Sequence, residues 1–113
     1  MLLTNLTKYK TKKETIAVPE LGEGAEIILS EMVGKRASGY AEFIRNLGEK
    51  EAFSRTVFLI FSMVNKRGEQ CHSIDEMETI EDTLPPKLLN RLINESMKIN
   101  GLLDEGIHKK KDA

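Results

Sequence analysis

Cys71 and His72 stand side by side in "QCHSIDE". A thiol next to an imidazole is the pairing from which a cysteine nucleophile and its base can be built, once a third group orients the base. Adjacency argues against it here, because neighbours on an extended strand point to opposite faces and no orienting group follows. His108 is the other histidine, and neither has a cysteine or second histidine at metal-ligand spacing. The acids Asp75, Glu76, Glu78, Glu81 and Asp82 lack the loop pattern of a calcium site and read as a solvated helix face. Gly22, Gly24 and Gly34 form no phosphate-cradling motif with a following lysine. No catalytic, cofactor or metal site is expected, and the chain does not read as an enzyme.

Composition narrows the remaining classes. A chain of 113 residues suits one domain with a modest core. Its 17 basic and 18 acidic residues nearly cancel, so no global field draws in nucleic acid or a membrane surface. Lys8, Lys10, Lys12 and Lys13 near one end, and Lys109, Lys110 and Lys111 near the other, could touch phosphates, but acids elsewhere balance them. One cysteine excludes an internal disulfide. The apolar start Met1, Leu2, Leu3 and Leu6 gives way to lysines without the core or cleavage site of a signal peptide. The expectation is a cytoplasmic protein, with neither nucleic acid nor membrane as partner.

These residues must be positioned by elements that the patterning outlines. Residues 1–14 lack a period and are expected to form a flexible arm. Ile16 and Val18 alternate until Pro19, "PELGEG" carries turn residues, and "AEIILSEMV" offers β-branched residues for a return strand, so a hairpin is expected near residues 15–33. Tyr40, Phe43, Ile44 and Leu47 then recur at helical spacing, with Ser38 as a cap and Gly48 as a stop. "SIDE", Ser73 to Glu76, fits a capping box that starts a short helix with Ile74, Met77 and Ile80 inward. Pro85 or Pro86 opens a last helix whose stripe is Leu88, Leu89, Leu92, Ile93 and Ile99, stopped by Gly101. The fold class is therefore mainly α with a small N-terminal β-hairpin: three to five helices in one domain over residues 15–103, then a disordered tail at 104–113.

One segment is too apolar for its surroundings. "TVFLIFSMVN" has five apolar residues in a row, Val57 to Phe61, with Met63 and Val64 close behind. Spanning a membrane takes ~20 apolar residues, and Arg55, Lys66 and Arg67 bound this run too tightly. A strand is possible on propensity, but the helix formers Glu49 to Ala52 favour a helix of about four turns running toward Gly68. On that helix Phe53, Val57, Ile60, Phe61 and Val64 share a face, and Ala52, Leu59 and Met63 lie on a neighbouring stripe. Phe58 falls among the polar residues Ser54, Arg55, Ser62, Asn65 and Lys66. It is either capped by another part of the chain or aimed at a partner. In the second case Phe58, Leu59, Met63, Ser62 and Arg55 would form a partner-binding patch.

Taken in order, the pieces resemble a known family. "ETIAVPELGEGAEIILSEM", an amphipathic helix, an apolar helix leading into "VNKRGEQ", and "SIDEMETIEDTLPPKLLNRLINESMKIN" are together similar to the tail assembly chaperones of long-tailed, siphovirus-type bacteriophages and prophages. The resemblance spans about residues 14–101 and rests on Val18-Pro19-Glu20 with Gly22, on the Gly68 turn before "SIDEMETI", and on the leucine-rich helix ending at Asn100. Leu21 replaces a frequent tryptophan, an acidic pair before Gly68 is missing, and Cys71-His72 replaces a more apolar step. What the resemblance implies is a helical, oligomeric protein of the host cytoplasm. It would coat the tape measure protein, the apolar helical rod that sets tail length, until tube subunits polymerise around it. It also implies a longer product, made by ribosomal frameshifting, whose added domain recruits the tail tube protein; consecutive lysine codons at Lys109 to Lys111 could carry the slip. Two other classes stay open: a head-tail connector or tail terminator retained in the particle, and a small nucleic-acid-binding regulator using the lysine-rich termini.

Overall fold

The computed structural model describes residues 6–102. The first residues of the expected arm and the expected tail at 104–113 lie outside them. Strand β1 (Lys13–Ala17) pairs antiparallel with β2 (Glu26–Ser30), Lys13 opposite Ser30 and Ala17 opposite Glu26. The hairpin begins two residues before the alternating segment because Glu31 holds the chain ahead of it. Its carboxylate accepts from the Tyr9 hydroxyl at 2.6 Å and from the Lys12 N–H at 3.2 Å. Its own N–H donates to the Lys12 carbonyl at 2.9 Å, prolonging the ladder. Between the strands, Pro19–Leu21 forms a single 3-10 turn and the Val18 N–H closes the loop on Ala25 O at 2.8 Å.

Helix α1 (Gly34–Arg45) starts four residues before the expected cap, and Ser38 lies inside it, exposed. Val33 precedes it without any side-chain cap. The first turn is fixed instead by Arg36, whose guanidinium donates to Phe61 O at 3.0 Å, Glu31 O at 2.9 Å and Ser30 Oγ at 3.2 Å. Tyr40, Phe43 and Ile44 pack from this helix onto the core. At Gly39 an added Cβ would sit 3.3 Å from Phe61 Cε1, so the absence of a side chain lets the two helices approach.

The single four-turn helix expected after Gly48 is divided in three. A 3-10 segment covers Gly48–Phe53, α2 covers Ser54–Ser62, and β3 (Met63–Val64) continues as a strand. The helix stops early because β2 has a second edge to satisfy: Leu29 pairs with Met63 and Ile28 with Val64, giving a three-stranded sheet in the order β1-β2-β3. The chain then turns on Asn65, whose side-chain oxygen accepts from the N–H groups of Arg67 at 2.8 Å and Glu69 at 3.1 Å.

The C-terminal third follows its local signals. The capping box at Ser73 is formed, with the Ser73 N–H on Glu76 Oε2 at 2.7 Å and the Asp75 N–H on Ser73 Oγ at 3.2 Å. Helix α3 (Met77–Thr83) follows, then α4 (Pro86–Ile99) with proline in its first turn. Gly101 at φ 76° ends α4, with Gly101 N on Lys98 O at 3.0 Å and Leu102 N on Met97 O at 2.8 Å. Those two bonds define a Schellman motif, whose left-handed position favours glycine.

The other three α-helices among the described residues and the sheet meet around α2, every residue of which from Thr56 to Ser62 is buried. Leu29 and Met63 bring the sheet into this core, and Leu88, Leu92, Ile93 and Ile99 bring α4. Asn100 ties the far end together. Its Oδ1 accepts from Met32 N at 2.8 Å, while its Nδ2 donates to Ser96 O at 2.8 Å and Ser62 Oγ at 3.3 Å. No described helix is long and apolar enough to cross a membrane.

Candidate interaction surfaces

The patch read from the sequence is not a surface. Phe58 and Met63 are each only 5% exposed, Leu59 and Ser62 not at all, and of the five residues Arg55 alone faces solvent. Phe58 takes the first of its two readings and is capped from within, by Tyr40 of α1 standing edge-on at a ring-centroid distance of 5.3 Å. Tyr40 makes a similar contact with Phe61 at 5.8 Å, so one ring closes over both phenylalanines. The two buried polar side chains of this helix, Thr56 and Ser62, both have partners. Ser62 Oγ donates to Phe58 O at 3.0 Å, and Thr56 Oγ1 donates to Glu81 Oε2 at 2.6 Å. The sequence places Phe58 on a polar arc; it does not reveal that helices cover that arc too.

Among the described residues no hydrogen bond joins Cys71 to His72, and the group beside the imidazole is Glu76. His72 Nδ1 lies 3.2 Å from Glu76 Oε1, a carboxylate already engaged in the capping box. Loss of solvent around Cys71 pushes its thiol up, and the nearby Glu76 charge adds to this, so thiolate is disfavoured. Among the described residues no three histidine, cysteine or acidic side chains converge as a metal site. The acidic run is split in its duties. Glu76 caps and Glu81 holds Thr56, whereas Asp75, Glu78 and Asp82 face solvent.

Several concave regions lie among the described residues. The first, about 190 Å³, is almost wholly apolar, lies between the Pro19–Leu21 turn, α3 and α4, and is walled by Leu21, Ile27, Leu59, Met63, Ile80, Leu84 and Leu92. Leu21, half exposed, overhangs it. A second, about 530 Å³, lies against the sheet beside Thr15, Glu26, Ile28, Val64, Lys66 and Cys71. The third, about 670 Å³, opens where the end of α1 and the Gly48–Phe53 turn face the start of α3. Its floor is Phe43, Leu47, Ile74 and Met77, and its rim carries Glu49, Asp75 and Glu78 with Lys50. The sequence marks Phe43, Leu47, Ile74 and Met77 as inward, but it does not show that segments some thirty residues apart face one another across a groove.

The chain has the fold of a phage tail assembly chaperone. The solved structure in question is that of the bacteriophage HK97 tail assembly chaperone, which superposes with a TM-score of 0.58 over 88% of this chain and 93% of that chain. Sequence identity between the two is 22%, so the likeness is one of fold. No family model matches the sequence, and no curated protein is significantly similar to it.

Proposed function

We propose that this protein is a phage tail assembly chaperone that binds the tape measure protein and keeps it soluble until the tail tube polymerises around it. The observation that carries the reading is the end-to-end correspondence of fold with the HK97 tail assembly chaperone, 88% of one chain on 93% of the other. The order of sequence elements, which resembles that family independently of any superposition, supports it. The physical need is plain: a rod with a continuous apolar helical face aggregates unless a partner covers it, and small proteins cover such faces by docking them in grooves.

The reading extends to a homo-oligomer acting on one long client, and to a frameshift-extended form that recruits tube subunits. Lys109 to Lys111 lie outside the described residues, and the nucleotide sequence is the test there. It should hold a slippery adenine run within codons 108–111 and a −1 frame open beyond them; a broken run or an early stop in that frame rules out a slip at this place. The client is tested by co-expression with the tape measure protein of the same genome. That protein should move from the insoluble to the soluble fraction and co-purify with the chaperone. A tape measure protein equally insoluble with and without this chain overturns the reading.

A further inference from the structure

The groove between the end of α1 and the start of α3 has a composition that selects its occupant. Its floor is apolar and incompletely covered: Leu47 and Met77 are buried, whereas Phe43 and Ile74 are only partly so. Its volume of about 670 Å³ lies in the range of pockets that enclose a sizeable ligand. The walls differ from the floor. Glu49 stands on one side, Asp75 and Glu78 on the other, all three exposed, and Lys50 is the single base among the lining residues. Among the described residues, none of those three carboxylates is taken up by a hydrogen bond or ion pair, unlike Glu20, Glu31, Glu76 and Glu81. Asn46, which ends α1, also lines this space.

We propose that this groove is the client site, and that it receives an amphipathic helix whose apolar stripe is flanked on both sides by lysine or arginine. The inference rests on the chaperone reading above and deepens it. A helix laid between the two walls sets apolar residues spaced i, i+3, i+4 on Phe43 and Ile74, and its flanking cations meet Glu49 on one side and Asp75 and Glu78 on the other. Attraction of this kind governs which helices are accepted and how quickly, while the apolar floor holds them. The smaller cavity under Leu21 is apolar without a charged wall, so nothing there chooses a partner, and the sheet face mixes both charges.

The test uses the full chain co-expressed with the tape measure protein. A Glu49→Lys/Glu78→Lys variant changes only exposed side chains and leaves the Ser73 capping box intact. A Glu14→Lys/Glu26→Lys variant makes the same change of charge on the sheet. The groove variant should recover on the order of tenfold less soluble client while the sheet variant recovers as much as wild type. Equal recovery by the groove variant, or equal loss in both variants, overturns the groove. Should the groove variant be destabilised, the wild-type complex decides by itself: its affinity should fall as ionic strength rises, and a salt-insensitive affinity overturns the proposal. If the wild-type chain fails to bind the client, the chaperone reading falls and takes the groove with it; failure of the variant test alone leaves that reading standing.

Discussion

Phe58 illustrates how a single side chain changes meaning once its neighbours are known. On a helical projection it sits with Arg55 and Ser62, yet in the fold it is 5% exposed beneath Tyr40. Phe58→Ala should therefore cost about 3–5 kcal/mol of stability, as deletion of a buried aromatic does, read from urea unfolding. An unchanged midpoint would return Phe58 to the surface. Glu31 offers a second test at this scale. The Tyr9 hydroxyl, and after it the Lys12 N–H, hold its carboxylate below the usual range. Because the folded pKa is depressed, the stabilisation is complete above the unfolded carboxylate pKa of about 4.3 and is lost as pH falls through the folded value. Acid should thus release the segment around Tyr9 before it unfolds the domain. An NMR titration should find the Glu31 pKa low in wild type and closer to normal in Tyr9→Phe; identical values in the two would remove Tyr9 as the cause.

At the scale of elements, the readings that hold are those with a local cause. The Ser73 capping box, the proline in the first turn of α4 and the Gly101 stop each involve groups within about five residues of one another, and all three are formed. Where an element is set by something distant, its bounds move. Helix α1 starts at Gly34 and not at Ser38, because Arg36 finds carbonyl partners on Glu31 and Phe61. Helix α2 gives way to β3 at Met63 because β2 supplies a ladder. Asn100 is the corresponding long-range tie for α4, joining it to α2 and to the stretch between β2 and α1. Asn100→Leu leaves the Met32 N–H and the Ser62 hydroxyl without that partner and should cost about 1–3 kcal/mol, measured by thermal unfolding followed by circular dichroism. A variant as stable as wild type would mean that other groups satisfy them.

For the molecule as a whole, an assembly role and a structural role differ in what survives assembly. A chaperone leaves when the tube forms, so mass spectrometry of purified virions should find the major tail proteins and not this chain; stoichiometric recovery would favour the connector or terminator. The sequence by itself determined the helical class, the N-terminal hairpin and most of the core stripes, since these follow from periodicity, caps and turn residues that act over one or two turns of chain. Only the tertiary structure decided that α2 is covered on every side from Thr56 to Ser62, that Met63 and Val64 belong to the sheet, and that Phe43 and Leu47 face Ile74 and Met77 across an acid-rimmed groove. The reason is range. A hydrophobic pattern states which side chains must leave water, but any apolar neighbour can satisfy it, and which one does is set by contacts between segments that the sequence holds far apart.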